Sequence, residues 1–502
     1  MTPSLILLVF GLYTLLLFFV TWLTSRRANS ETFYTGNRRS PWFVVAYGMI
    51  GASLSGVTFM SVPGWVQNTQ FTYMGMVVGF LVGYFVIAHL LLPLYYRLNL
   101  TSIYTYLEQR FGVFTYKSGA SYFILSRSLG ASLRMFLVVN VLYEFVFRAW
   151  GVPFWLTGAI FVLLILLYTL EGGIRTIVWT DTLQTTFMLG AVVLSFFLIA
   201  REMGFDPWGL VNEIRHSSLS QSVVTDWHDK RFWLKQIVSG IFITIVMTGL
   251  DQEMMQKNLS CRNLRDAQKN MITFSFTLVA VNLFFLFLGA ALVLYAQKNG
   301  ISVENTDTLF PEIAIHHLGI LPGLVFVIGL ISAAYPSADG ALTSLTTSCA
   351  IDLVGIEKRG WDAHKQKRVR YAIHFSFALL FLALIVAFRY MNNSAVIDKL
   401  YTISSYTYGP LLGFFAFGML TRRQVRDVAV PAVALLSPVL CYLLNAYSAR
   451  WLWGYQFGFE LLIVNGLITF TGLWLLRIPA SKREDSNSGT PDSIREIHSA
   501  RT

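Results

Sequence analysis

The sequence predicts an all-α polytopic membrane protein with about thirteen transmembrane helices. Of its 502 residues, 55% are hydrophobic and only 13% are charged, whereas soluble domains carry roughly 25% charged residues. The mean hydropathy is +0.57. Apolar stretches of about 17–25 residues, long enough to cross a bilayer, recur along the chain. We number them in chain order as spans: 4–24, 42–63, 72–96, 115–148, 152–170, 180–200, 233–255, 271–296, 322–351, 368–391, 399–420, 427–447 and 456–477.

The first span, "SLILLVFGLYTLLLFFVTWL", predicts a retained helix rather than a signal peptide. It is longer than a signal-peptide core, and it has no basic leader and no A-x-A cleavage site. Loops on one side of the predicted bundle carry 20 Lys and Arg residues, and loops on the other side carry 6. Because cytoplasmic loops hold the basic excess, we expect the N-terminus outside and the C-terminus in the cytoplasm. The predicted location is the plasma or inner membrane.

The net charge of +11 raises the question of a nucleic-acid partner. The basic residues lie mostly in short cytoplasmic connections, where topology and anionic lipid explain them. We therefore expect the lipid bilayer, and no nucleic acid, as partner. Residues 1–480 form a single predicted transmembrane domain. The tail 481–502 is polar and rich in serine, which predicts cytoplasmic disorder.

The second span contains the stretch "GASLSG", residues 51–56, near the predicted bilayer midplane. Unpaired backbone groups in hydrocarbon cost several kcal/mol, so a broken helix is tolerated only where it contacts protein, water or a ligand. Freed carbonyls of Gly51 and Leu54, with nearby hydroxyls, offer oxygens that suit a hard cation. The alternative is that the small residues only allow close helix packing. The polar side chains of this stretch are Ser53, Ser55 and Thr58.

The seventh span, "IFITIVMTGLDQEMMQK", is also interrupted, at Thr248-Gly249 before an acidic patch. Paired broken helices at matching places in two halves indicate a transporter site built from an inverted repeat. We expect a leading helix at 4–24, a first repeat at 42–200 and a second repeat at 233–420. Two trailing helices follow within 427–477.

A motif near the cytoplasmic face, "EGGIRTIVWTDTLQ" at residues 171–184, resembles the signature of the sodium:solute symporter family. The resemblance extends to "SETFYTGNRRSP", "SLSGVTFMSVPG", "DQEMMQKNLSCRNLRDAQK" and "SYTYGPLLGFF", and so covers roughly residues 30–420. It implies a leucine-transporter-like fold of five plus five helices and sodium-driven secondary uptake, without an organic cofactor. The signature residues are Gly172, Gly173, Trp179, Asp181 and Gln184. By local capping, the two glycines are expected to end one helix and Asp181 to begin the next.

The resemblance implies a sodium ion between the second and ninth spans. Its ligands would be the carbonyls of Gly51, Leu54 and Ala334 and the hydroxyl of Ser337. The family's second hydroxyl falls on Ala338, which cannot bind a cation. Asp339 is a candidate replacement, provided that Pro336 distorts the helix, because regular geometry points Ser337 and Asp339 to nearly opposite sides.

Some relatives bind a further sodium through two more hydroxyls and the signature carboxylate. Here those hydroxyl positions are Gly340 and Ala341, and only Asp181 remains. We therefore predict a single sodium ion.

The solute is expected beside the ion, at the midplane. Candidate contacts are Ser53, Ser55, Thr58, Tyr73, Arg134 and Tyr406. The hydroxyls and the ring favour a sugar-like solute, and an intramembrane arginine favours a carboxylate, as in the sialic-acid carriers of the family. Arg127 is instead expected to pair with Glu144 or to reach the inner surface, and Tyr401 to line or gate the site.

Several alternatives remain open on the sequence alone. One alternative is a carrier that is coupled to protons rather than sodium. Another is a carrier, coupled to either ion, whose solute is a carboxylate, an amino acid or a vitamin. A membrane-embedded enzyme lacks a nucleophile-base arrangement here, and a channel would need a pore lined by several subunits. We expect a monomer that transports a small molecule.

Overall fold

A computed structural model describes residues 2–25, 38–391 and 396–478. Within these ranges the chain is a bundle of helices. Numbered in chain order, they are α1 (Pro3–Ser25), α2 (Trp42–Thr69), α3 (Tyr73–Arg97), α4 (Thr105–Arg110), α5 (Val113–Phe145), α6 (Phe154–Glu202), α7 (Pro207–His216), α8 (Trp233–Gly249), α9 (Gln252–Leu259), α10 (Leu264–Lys298), α11 (Leu309–Glu312), α12 (Ile320–Val354), α13 (Ala363–Met391), α14 (Val396–Thr407), α15 (Gly409–Leu420), α16 (Val430–Trp451) and α17 (Leu461–Leu475).

Nine helices among the described residues are long and apolar enough to cross a membrane, and α8 with α9 forms a bent pair that passes the same test together. Shorter apolar helices cover Phe154–Leu170, Gly409–Leu420 and Leu461–Leu475. The all-helical membrane architecture is confirmed, and the count of thirteen stays a prediction. The predicted tail 481–502 lies outside the described residues.

Two predicted boundaries are wrong. The helix expected to begin at Asp181 already begins at Thr176, so the connection 171–179 is helical from Thr176 onward and Asp181 does not begin a helix. The eleventh span is not continuous, because α14 ends at Thr407 and α15 begins at Gly409, with Pro410 in its first turn. Proline favours the start of a helix over its interior, which explains the new start.

The chain reverses direction between the two apolar segments of α6, Phe154–Leu170 and Thr176–Glu202. At one end, Phe154 packs under the guanidinium of Arg389, near the end of α13. After the other end, the Met203 carbonyl accepts a hydrogen bond from Lys298, the last residue of α10. Since α12 runs between α10 and α13 in the chain, those two ends lie on the same side of the bundle.

The interruption predicted in the second span is confirmed, and it is narrower than expected. Only Ser55 within α2 leaves the helical region, with φ 41° and ψ 173°. A positive φ is strained for a serine, so the surroundings must hold it. The interruption frees carbonyl groups of the preceding turn, which includes Gly51 and Leu54, for other partners.

Close packing explains the glycines on either side of the break. The Gly51 N–H donates to Thr185 Oγ1 on α6 at 3.0 Å, and the same hydroxyl occupies the space that a Cβ at Gly51 would need. A Cβ at Gly56 would lie 2.9 Å from Val138 on α5. The packing interpretation of the two glycines therefore holds alongside the broken helix.

The second interruption, between α8 and α9, is confirmed as a bend of 65°. Two tyrosine hydroxyls satisfy its free carbonyls: Tyr95 donates to Gly249 and Tyr104 to Leu250, each at 2.8 Å. The Asp251 side chain accepts from the N–H groups that begin α9. These contacts replace the helical hydrogen bonds that the bend removes.

Candidate functional site

A cavity of about 80 Å³ lies between the two broken helices. Roughly 10–15 Å³ of such space holds one water, so the cavity holds about five to eight waters. Helices α2, α3, α5, α8, α9, α10 and α14 line it. Its polar lining residues are Ser53, Ser55, Thr58, Tyr73, Tyr84, Arg127, Arg134, Thr244, Thr248, Asn282 and Tyr401.

Five of the six residues predicted to contact the solute lie at this cavity. The exception is Tyr406, whose hydroxyl accepts from Asn445 and whose ring packs near Tyr442, both on α16. Tyr406 follows Tyr401 by five residues, which places the two on different faces of α14. The positions of Tyr84, Thr244 and Asn282 at the cavity could not be predicted from the sequence, because single polar residues in apolar helices give no local signal of the face they occupy.

The two arginines of α5 differ in their charge partners. Arg127 forms a salt bridge with Glu253 and lies 3.8 Å from Asp251. Its expected partner Glu144 instead pairs with Arg148 and Arg389, so that pairing is wrong.

Arg134 is 8% exposed and lines the cavity. No salt bridge to it is present in the described part of the chain, and its Nε has no hydrogen-bond partner there. A buried cation without a carboxylate is costly, so this guanidinium suits an anionic ligand.

Aromatic side chains close one side of the cavity. The hydroxyls of Tyr73 and Tyr401 lie 3.2 Å apart. The Trp65 ring packs against Tyr73, and the Phe459 ring packs against Tyr401. Beyond them a vestibule of about 850 Å³ is lined by residues of 226–231 and 454–459. One layer of rings therefore separates the cavity from the vestibule.

Polar contacts form a second closure, at the connection between α3 and α4. The Gln252 side chain accepts from the Ile103 N–H at 3.0 Å and donates to the Thr101 carbonyl at 2.9 Å. The Asp352 carboxylate on α12 accepts from three hydroxyls, those of Ser102, Tyr116 and Ser348. This polar closure thus involves more hydrogen bonds than the aromatic one.

The residues of the expected sodium site lie on α2 and α12, which pack against each other. Ser337 is 1% exposed, and its Oγ has no hydrogen-bond partner among the described residues. A buried hydroxyl without a partner, on a helix that packs against the interrupted α2, fits a cation that takes oxygen ligands.

Asp339 does not join Ser337. One of its oxygens accepts from Tyr168 at 2.6 Å, and the other accepts from the Gly340 N–H at 2.5 Å. Pro336 lies inside a continuous helix, so regular helical geometry keeps the two side chains apart.

The signature residues fall into two groups. Asp181 and Gln184 are fully buried on α6, and Asp181 accepts from Lys257 Nζ on α9 at 2.7 Å. Trp179 is 44% exposed on the outside of the bundle. Gly172 and Gly173 lie in the helical chain of α6, in a stretch whose surroundings are outside the described part.

A model of the Sodium:solute symporter family matches residues 33–433. The chain belongs to the sodium:solute symporter family. It is therefore a multi-pass sodium-coupled secondary transporter of a small solute, acting by alternating access, and not an enzyme.

Individual relatives of the symporter are distant in sequence. It is 23% identical over 459 residues to the sodium/sialic acid symporter SiaT of Proteus mirabilis, covering 88% of this chain and 89% of SiaT. It is 25% identical over 399 residues to the sodium-dependent multivitamin transporter of Oryctolagus cuniculus, covering 76% of this chain and 60% of that protein.

Solved structures support the same fold. A Na⁺-coupled sialic acid symporter, solved in a substrate-bound outward-open state, matches with a TM-score of 0.79 at 19% identity, covering 94% of this chain and 97% of that one. The nucleobase-cation-symport transporter Mhp1 matches with a TM-score of 0.54 at 13% identity, covering 88% and 93%. The leucine-transporter-like fold is thereby confirmed.

Proposed function

We propose that this symporter imports a polar solute that bears one carboxylate, together with one sodium ion. The observation that carries the proposal is Arg134, a buried guanidinium that lines the cavity without a carboxylate partner. Charge-assisted, bidentate bonding to a carboxylate would satisfy it. The similarity to sialic acid symporters supports the same choice, because sialic acids are sugar carboxylates.

The sodium site in this proposal consists of the Gly51, Leu54 and Ala334 carbonyls and the Ser337 hydroxyl. Asp339 is left out of it, because its oxygens already accept from Tyr168 and Gly340. The broken turn of α2 carries carbonyls for the ion and hydroxyls for the solute. Either ligand would stabilise the same α2 conformation and so raise the affinity for the other.

Alternating access follows from the two closures. Separation of Tyr73 from Tyr401 would open the cavity to the vestibule, and release of Asp352 from its hydroxyl partners would open the cytoplasmic side. In this proposal the protein lies in the plasma or inner membrane, with its N-terminus outside and its C-terminus in the cytoplasm. One chain is the working unit.

Uptake into proteoliposomes tests the proposal. A sodium gradient is expected to drive uptake of a carboxylate from a panel of sialic acids, short monocarboxylates and amino acids. A pH gradient alone is expected to drive none. Neutral sugars at the same concentration are expected not to compete, and competition by them would contradict the carboxylate assignment.

Replacement of Arg134 tests the residue itself. A hydrogen bond to a charged group contributes about 1.5–3 kcal/mol, so Arg134→Gln is expected to weaken solute binding roughly 10- to 150-fold. The matched control is Arg148→Gln, because Arg148 is an exposed α5-proximal arginine paired with Glu144. Equal losses in both variants would refute the role of Arg134.

A further inference from the structure

A buried ammonium lies among carboxylates beneath the cavity, where α6, α9 and α12 meet. Lys257 on α9 is 1% exposed, and its Nζ lies 2.7 Å from Asp181 Oδ2 and 3.5 Å from Glu253 Oε1. Asp339 on α12 acts electrostatically on both Lys257 and Asp181. Carboxylates from two helices, α6 and α9, therefore contact one positive charge.

The glycine at 340 is explained by this cluster. Any Cβ at Gly340 would collide with the Glu253 carboxylate. Neither Gly340 nor Ala341 carries a hydroxyl. The structure shows what is present at 340 instead, namely the Glu253 side chain, which also contacts the Lys257 ammonium.

The guanidinium of Arg127 does not take the place of the Lys257 ammonium. It pairs with Glu253 and lies 3.8 Å from Asp251, on the cavity side. Asp181 Oδ1 has no hydrogen-bond partner among the described residues, nor has the side-chain amide of Gln184, one turn further on the same face of α6. Both residues are fully buried. Oxygens remain available beside the ammonium.

We propose that the Lys257 ammonium is a resident cation that fills a second cation position formed by the carboxylates of Asp181 and Glu253. Its presence limits the transporter to one sodium ion per cycle, and this statement about coupling rests on the proposed sodium site. An ammonium and a sodium ion carry the same charge, and carboxylate oxygens suit a hard cation. Loss of the ammonium leaves the position open to sodium.

Counting bound sodium on purified full-length protein with ²²Na⁺ tests this inference. The wild-type protein and the charge-retaining variant Lys257→Arg are expected to bind one ion per chain. Lys257→Met, which keeps the length and removes the charge, is expected to bind two. Adding Asp181→Asn to Lys257→Met is expected to return the count to one. A folded Lys257→Met variant with an unchanged count would overturn the inference, as would a wild-type count of two.

The same counts separate this inference from the proposed function. A wild-type count of zero with a Lys257→Met count of one refutes the site at Ser337 and supports the resident cation. Should Lys257→Met and Lys257→Gln both lack a melting transition without sodium, high sodium is expected to restore it, because sodium then replaces the missing charge. Failure of sodium to restore the transition would overturn the inference.

Discussion

Membrane potential is expected to leave the steady-state accumulation of solute unchanged. The proposed sites hold one carboxylate at Arg134 and one sodium ion at Ser337, so the transported charge sums to zero. A tenfold sodium gradient then supplies about 1.4 kcal/mol, which corresponds to roughly tenfold accumulation. A neutral solute, or a second sodium ion, would add about 2.3 kcal/mol per 100 mV, which is about a 50-fold further accumulation.

The assay uses proteoliposomes with a fixed sodium gradient and a potential set by potassium and valinomycin. Accumulation is measured at steady state, because the final ratio depends on the transported charge and not on the transport rate. Lys257→Met serves as the comparison, since a second sodium ion would make its accumulation respond to the potential. A response of about 50-fold per 100 mV in the wild-type protein would refute the charge balance.

Three further outcomes are expected. Ser337→Ala removes a sodium ligand and should raise the half-saturating sodium concentration roughly 5- to 30-fold, for a loss of about 1–2 kcal/mol. The control Ser332→Ala, which loses a bond within its own helix, should not do so. Gly51→Ala forces the Thr185 hydroxyl aside and should destabilise the protein by about 1–3 kcal/mol, and adding Thr185→Ala should restore part of the melting temperature; no restoration would argue against the contact. Burial raises the pKa of Asp307 in the connection between α10 and α11. Above that pKa the folded protein holds a buried charge, so Asp307→Asn should raise the melting temperature at neutral pH, and the gain should vanish as the pH falls through the pKa.

The breaks in α2 and α8 are visible in the sequence because glycine and hydroxyl residues interrupt long apolar runs. Ser55 and Gly249 lie at or beside the positions that these runs indicate. Five of the six candidate solute contacts lie at the cavity, and they could be selected from the sequence because their polarity is unusual at that depth.

Pairings between distant helices could not be predicted in this way. Nothing near Lys257 in the chain indicates that it reaches Asp181, and nothing near Gly340 indicates that Glu253 fills its side. Asp339 was a reasonable ligand by residue type, but its neighbour Tyr168 comes from another helix. Such contacts depend on the rotation of each helix about its axis, which an almost uniformly apolar surface does not specify.

The hydroxyls of Tyr95 and Tyr104 bind the two backbone carbonyls at the bend between α8 and α9. If the tyrosines move away, no water replaces them at those carbonyls, so separating the hydroxyls from the carbonyls would carry a desolvation cost of several kcal/mol. The end of α3, the connection to α4 and the start of α9 are thus bound to travel as one rigid body. A conformational change that exposes the cavity to the cytoplasm is therefore expected to pivot at other contacts, where the groups that separate can form new hydrogen bonds at a lower free-energy cost.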